Sequence, residues 1–280
     1  MSEKGTNNRK RSTPPSRIQS LDRAVAVLNS FTPERAQLGV TEIARLTGLS
    51  RGTAHRIVAN LESHQLLQRV QPGNRYALGP GLLRLAHSAR VRINLQECAG
   101  PIMTRLRDET NETVGLHVVD GRFFRVVIDQ VESRHSIRRT YTNLGESIPI
   151  HQGAPGKVIL AHLPGDVQQQ ILSGPLEAAT DNTIVDPELL KRELESVLDK
   201  GFAISLAERV PEVFTIAVPV FDYRESVVAS LSVTGPSSRV NKEHLLEFAP
   251  HALKAAKDLS LMLGSTEYYD IHSPDYPPHS

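Results

Sequence analysis

Five polar side chains sit close together between positions 51 and 60, and their types suit one kind of chemistry. Arg51, Thr53, His55, Arg56 and Asn60 interleave with Ala54, Ile57, Val58 and Leu61, so helical winding puts the two sets on opposite faces. Guanidinium, hydroxyl, imidazole and amide groups on an open helix face are the donors and acceptors that reach phosphates and base edges. Ser50 is placed to cap this helix, whose free N–H groups add attraction for phosphate. An ordinary helical hairpin with a solvated face has the same pattern, and charge separates the two. Up to Asn94 the chain carries 15 Lys and Arg against 5 Asp and Glu, and the remainder carries 17 against 26. A formal net charge of +1 therefore hides a basic head on an acidic body, one module suited to a polyanion and one that avoids it.

Catalysis finds no such footing. The 11 histidines form no His-Glu-x-x-His pair and no Cys/His metal spacing, and the chain has no Gly-x-Ser-x-Gly elbow and no dinucleotide fingerprint. Cys98, the single cysteine, excludes an intramolecular disulfide and sits in a helical pattern as a packing residue. No catalytic residue, cofactor or metal is implied. No apolar run approaches the ~20 residues that span a bilayer, and the polar, basic stretch Met1–Arg17 lacks the apolar core of a secretory signal. The expected setting is the cytoplasm, with no membrane partner.

The elements that must position the polar face follow from periodicity. Leu21, Ala24, Val25, Leu28 and Phe31 predict an amphipathic helix with Ser20 as its cap. Val40–Leu46 predicts a short second helix with Ile43, Ala44 and Leu46 inward, and Gly48 a left-handed turn before Ser50. The third helix runs to Ser63. Helix, tight turn and helix with a polar outer face make a helix-turn-helix. Leu66–Val70, a Gln-Pro-Gly-Asn turn and Arg75–Leu78 then predict a hairpin, the wing of a winged helix, with Arg69 and Arg75 on it. Gly79-Pro80-Gly81 breaks the chain, and Leu82, Leu83, Leu85, Ala86 and Ala89 open a linker helix suited to pairing with another copy.

Beyond it, Thr113–Val119 and Phe123–Val131 read as strands about a type I′ turn at Asp120-Gly121, and Ser136–Thr142 as a third strand. A helix from Asp186-Pro187 to Lys200 closes at Gly201. Phe202–Leu206, Phe214–Phe221 and Val227–Thr234 read as strands, and Lys242–Leu263 as a last helix. Hairpins with helices between them indicate an α+β fold. Two segments suit a ligand. His151–Lys157 is a Gly-rich approach to a helix start, which favours a carboxylate. Ser232 and Thr234 share one strand face. His151, Arg134, Arg138 and Arg139 would favour an acidic ligand, although solvation or ion pairing is the plainer reading of the arginines.

Together these residues resemble the IclR (isocitrate lyase regulator) family of bacterial transcription regulators. The match is carried by Ser20–Ala24, Thr41–Ala44, Gly48-Leu49, Thr53-Ala54-His55-Arg56, Leu61-Glu62 and Arg75–Pro80. It continues through Glu109–Val114, Gly156-Lys157, Gly201-Phe202, Pro219–Asp222 and Ser230–Pro236, and spans Ile18 to Gly264. The resemblance implies a winged helix-turn-helix joined by a linker helix to a GAF/profilin-like α+β effector domain. The expected divisions are 1–17 as a disordered basic arm, 18–80, 81–94, 95–264 and a flexible tail at 265–280. Residues expected to meet DNA are Arg17, Ser20, Thr41, Ser50, Arg51, Thr53, His55, Arg56, Asn60, Arg69 and Arg75. Residues that the resemblance places around an effector are Ala154, Pro155, Ser205, Thr215, Ser232 and Thr234. The sequence departs from the family's pattern at Ser205, often acidic, at Val213, often glycine, at Thr215, often cysteine, and at the bulkier Pro155. The implied partners are a double-stranded DNA operator, a small organic acid from aromatic- or sugar-acid catabolism, and further copies of the chain as a homodimer or dimer of dimers. A ligand-independent DNA-binding oligomer is the alternative.

Overall fold

The computed structural model describes residues 18–32, 35–90, 94–141 and 143–266, and the chain divides into two compact units, 1–92 and 93–280. Arg17 with the rest of the basic arm, and the tail beyond Thr266, lie outside the described residues. Ser265 and Thr266, the first two residues expected in that tail, are hydrogen-bonded to Glu225. No helix among the described residues is long and apolar enough to cross a membrane.

The first unit contains α1 (Gln19–Asn29), β1 (Leu38–Gly39), α2 (Val40–Thr47), α3 (Arg51–Ser63), β2 (Leu67–Val70), β3 (Arg75–Leu78) and α4 (Pro80–Arg90). The wing has a third strand that the sequence pattern did not indicate, because β1 adds two residues to the free edge of β3 in an antiparallel sheet ordered β1-β3-β2. Val27, Ile43, Ala54, Val58, Leu61, Leu67 and Tyr76 form the core. Helix α1 faces it with Ala24, Val27 and Leu28, and Phe31 joins them just beyond its end, while Leu21 and Val25 are exposed. The contiguous run Ala24–Leu28 is compatible with two adjacent stripes, and burial of Val27 selects the other one. Leu46, expected inward, is also exposed at the end of α2.

Ser20 does not cap α1. The helix starts two residues earlier, Ile18 occupies the cap position without a side-chain bond, and Ser20 lies exposed in the first turn. Ser50 does cap α3, its Oγ accepting the Thr53 N–H at 3.2 Å. Gly48 ends α2 with φ +66°, which a Cβ would strain. Ser50→Ala is therefore expected to lower the stability of this unit by about 1 kcal/mol, read as a shift in its denaturant midpoint. An unchanged midpoint would show that the cap contributes nothing. Pro80, expected to break the chain, is instead the first residue of α4, where its missing N–H has no helical acceptor to lose.

The second unit contains α5 (Leu95–Thr110), β4 (Thr113–Val119), β5 (Phe124–Val131), β6 (Ser147–Pro149), α6 (Ala154–Ala161), α7 (Gly165–Leu172), α8 (Pro187–Lys200), β7 (Ala203–Leu206), β8 (Val213–Phe221), β9 (Val227–Pro236) and α9 (Lys242–Met262). Its strands form one antiparallel sheet ordered β6-β5-β4-β9-β8-β7. Ile216, Val218 and Val220 of β8 and Leu231 and Val233 of β9 point to the face covered by α5 and α9. The alternate residues point to the other face, where Ala203 and Ala217 pack with α6 and α8. Strands covered on both sides normally read as continuous apolar runs. Here the α6 side instead carries Thr215, Ser230, Ser232 and Thr234, all buried. Cys98 is half-buried in α5 against the apolar core.

Two turns differ from expectation. The β4–β5 connection is not a type I′ turn: Gly121 has no positive φ, Phe123 does at +61°, and the Asp120 carboxylate accepts the N–H groups of Arg122 and Phe124. An Asx turn thus replaces the backbone turn that Asp-Gly suggests. Ser136–Tyr141 is not a strand, and Thr142 lies outside the described residues. Side chains hold this segment in place of a ladder: Gln130 bonds both the N–H and the carbonyl of Tyr141, and Thr113 Oγ1 donates to the Arg139 carbonyl. Strand β6 takes the free edge of β5.

Candidate functional site

In the first unit a cleft opens between α3 and the wing, and it gathers Thr41, Arg51, His55 and Arg69 with Asn74 and Tyr76. Arg51, His55, Arg56 and Asn60 are exposed along α3, as the pattern requires. Thr53 is half-buried, with its hydroxyl 2.9 Å from that of Ser50. Asn60 turns back on its own helix, Nδ2 donating to the Arg56 carbonyl at 2.9 Å. On the wing Arg69 bonds Asn74 and lies over the Tyr76 ring. Arg75 is engaged structurally: it donates to the Gln37 carbonyl at 2.7 Å and pairs with Glu42 at 3.0 Å. Glu42 also receives the Gly39 N–H, and that bond, then Arg75, keeps its carboxyl below the usual range. The pairing neutralises the acid that lines the cleft.

In the second unit, polar groups from four strands converge beside the start of α6. Gly153, with φ +83°, turns the chain into α6, and Pro155 follows in the first turn. All eight residues of α6 are buried, Ala154 among them, and Ser230 Oγ ties the helix to β9 by donating to the Pro155 carbonyl at 3.0 Å. Lys157 is fully buried one turn on, its three protons directed to Glu193 at 2.9 Å, Glu208 at 2.7 Å and the Ile204 carbonyl at 3.0 Å. Burial raises the Glu208 carboxyl above its usual value, and Lys157 opposes that.

A narrow pocket of about 40 Å³ lies at this junction, and Pro155, Ser205, Thr215 and Thr234 line it. Ser232 is not in the wall and is linked to Thr234 through the Tyr141 hydroxyl, and Ala154 does not line the pocket either. The remaining walls include residues that the sequence did not single out: Arg125, Tyr141 and Arg209, with Arg139 from the segment expected as a third strand. Of the other candidate cations, Arg134 pairs with Asp108 and Arg138 with Glu132, and His151 bonds the Glu177 carbonyl away from this pocket.

A chain of hydrogen bonds fixes the polar wall. Arg125 Nη1 lies 3.0 Å from His117 Nδ1, His117 Nε2 lies 2.8 Å from Ser232 Oγ, and the line continues through Tyr141 and Thr234 to Thr215. A guanidinium only donates, so Nδ1 must accept and Nε2 must carry the proton. Burial, and then the Arg125 charge, hold His117 well below its ordinary pKa and hence neutral. Gly115 makes this packing possible, because a Cβ there would press on the rings of His117 and Tyr141 and on Ser232 Oγ. Arg125 itself is buried, and among the described residues its Nε has no hydrogen-bond partner, nor has that of Arg209. Burial, with Arg209 and Arg139 as neighbouring cations, pulls Arg125 down to about 10. The arrangement can hold and orient an anion. With its proton on Nε2, His117 donates to Ser232 and cannot serve as the base for that hydroxyl.

Comparison with known proteins finds relatives for both units. Residues 20–71 match the IclR helix-turn-helix domain, and residues 87–261 match the bacterial transcriptional regulator IclR C-terminal family. The chain is 30% identical over 248 residues to the HTH-type transcriptional regulator XynR of Escherichia coli, covering 88% of this chain and 98% of that protein. It is 28% identical to the transcriptional repressor IclR of the same organism, covering 88% and 90%. A solved IclR-type regulator from Silicibacter sp. TM1040 superimposes with a TM-score of 0.81 at 25% identity, covering 93% of this chain and all of that one. An IclR homologue from Microbacterium hydrocarbonoxydans, solved with 4-hydroxybenzoate, has a TM-score of 0.55 at 25% identity, covering 88% and 100%. With both of its units matched in order and most of its length covered, this chain belongs to the IclR family of bacterial transcriptional regulators, with an amino-terminal DNA-binding helix-turn-helix.

Proposed function

We propose that this regulator switches its operator affinity on binding a small organic acid in the pocket beside α6. The observation that carries the reading is Arg125, a buried guanidinium in the pocket wall whose Nε has no hydrogen-bond partner among the described residues. A buried donor left unpaired is costly, and an acid that enters satisfies it. Helix α3 enters the major groove, Arg51, His55 and Arg56 reach bases and phosphates, and Thr41 and Arg69 contact the backbone at the rim. The chain acts as a homodimer or dimer of dimers, for which the exposed Leu21 and Val25 of α1 and Leu83 and Leu85 of α4 provide apolar surface. The acid selects one of two dimer arrangements, so ligand and operator must affect each other's affinity equally. A relative solved with 4-hydroxybenzoate supports an acid as the ligand class. No step of catalysis is needed.

Fluorescence anisotropy with the promoter DNA flanking the gene tests the first half. Binding should weaken steeply with salt, and Arg51→Ala with Arg56→Ala should reduce affinity at least tenfold. Removing a side chain that binds one phosphate should lower the salt slope by about 0.9. The double variant binding as tightly as the wild type, with the same slope, would remove α3 from the interface. Adding organic acids to the complex tests the second half. A shift in the anisotropy midpoint is expected, and no shift with any acid favours the ligand-independent oligomer.

A further inference from the structure

The acid pocket adjoins a second cavity, and the two share Arg125, Arg139, Tyr141 and Arg209, while Glu146 closes the far side. Three guanidinium groups thus face one carboxylate. Arg209 uses Nη2 on Glu146 at 3.2 Å, which leaves its buried Nε free, and the Arg125 Nε is likewise free. Arg139 lies over the Tyr141 ring at 5.2 Å, with no ion pair among the described residues. Two positive charges therefore remain uncompensated around one small space.

From this we infer that the natural ligand is a compact organic dianion, a dicarboxylate, with one carboxylate on Arg125 and the other on Arg209 and Arg139. The inference rests on the proposed acid-binding role of this pocket and narrows its ligand class. A monocarboxylate would leave one of the like charges uncompensated beside the buried Arg125, where the repulsion is screened less than it is between fully exposed groups. The planar, forked donors suit carboxylates, since each guanidinium can offer two parallel N–H groups. The hydroxyls of Ser205, Thr215 and Thr234 are then available to the carboxylate oxygens that the guanidinium groups leave open. Cavities of about 40 and 50 Å³ lie far below the usual size of a ligand site, so a compact acid enters with less movement of the walls than a bulky one. Besides Tyr141 they present no aromatic wall on which a ring would stack. A short dicarboxylate fits these walls better than an aromatic acid.

Isothermal titration of the full-length protein provides the test. The probes are malonate, succinate and glutarate, the half-amide succinamate as an isostere with one charge fewer, butyrate and 4-hydroxybenzoate as monoanions, and inorganic phosphate as a compact oxyanion. At least one dicarboxylate should bind ten times or more as tightly as every monoanion, and succinamate should bind like butyrate. Arg209→Gln, which leaves the Arg125–His117 pair intact, should bring the succinate to succinamate ratio close to one. Glu146→Gln removes the opposing carboxylate and should tighten dicarboxylate binding severalfold. If 4-hydroxybenzoate or butyrate binds as tightly as any dicarboxylate and shifts operator affinity, the dianion inference fails and the acid-responsive reading stands. Phosphate binding in place of the dicarboxylates also overturns the inference. If no acid of either charge binds while operator DNA does, both readings fall together.

Discussion

Lys157→Met should destabilise the second unit by about 3–5 kcal/mol, the cost of leaving a buried carboxylate without its cation. For a unit of this size that is a fall of roughly 10 °C in melting temperature. Methionine has nearly the same length and fills the same space, so the loss reports charge rather than volume. Glu193 is 32% exposed and can turn to solvent, whereas Glu208 is 9% exposed and cannot. The effect carries a pH signature. Because the Glu208 carboxyl is raised, the folded chain binds more protons than the unfolded one between the ordinary value of 4.5 and the folded value. Its contribution is therefore most favourable in acid and is lost as pH rises through the folded value. Removing Lys157 removes the main opposing influence, so the deficit of the variant should be largest near about pH 8 and shrink towards about pH 5. Thermal melts across that range check it. A deficit that stays constant with pH, or grows in acid, would exclude Glu208 as its source.

Gly156→Ala should be nearly as damaging, for a steric reason. A Cβ at this position would overlap the carbonyl oxygen of Ile150, and the obstacle is backbone, so no side chain can swing aside. Overpacking of this kind costs up to about 3 kcal/mol. The start of α6 must shift, which loosens the Ser230–Pro155 bond and displaces Pro155 from the pocket wall. The expected result is a lower denaturant midpoint for the second unit, an unchanged one for the winged helix, and acid affinity reduced at least tenfold. Stability and affinity within error of the wild type would show that α6 has room that the packing denies.

The contrast between the two units shows which physics a sequence displays. In the winged helix the determinants are local: Ser50 caps the residue three positions on, Gly48 supplies its own turn, and the polar face of α3 lies within ten residues. Differences there are of phase, as with Val27 against Val25, where a continuous apolar run hides which stripe is buried. The pocket is a different case. Arg125, Arg139 and Arg209 come from a strand and two irregular segments, and only the folded sheet brings them together. Ser232, Thr234 and Thr215 were reachable through strand alternation and family resemblance. His117 had a signal of its own, since Thr113, Gly115 and His117 alternate with Val114 and Leu116 along β4. The signal becomes meaningful only once β4 is known to be covered on both faces. Arg209 had none. Nor could the Asp120 turn be read, because Asp-Gly suits both the I′ geometry and the Asx turn that the chain adopts.

The pairing of β4 with β9 has a further consequence, for the order in which the protein is made. His117 meets Ser232 across 115 residues of chain. At roughly 5–20 residues per second, on the order of ten seconds of synthesis separates them. During that interval the nascent chain already holds every core residue of the winged helix, whereas β4 and β5 wait without their central partner strand. Pairings so distant in sequence form slowly. The whole sequence of the DNA-binding unit is thus made before the sheet of the second unit can close.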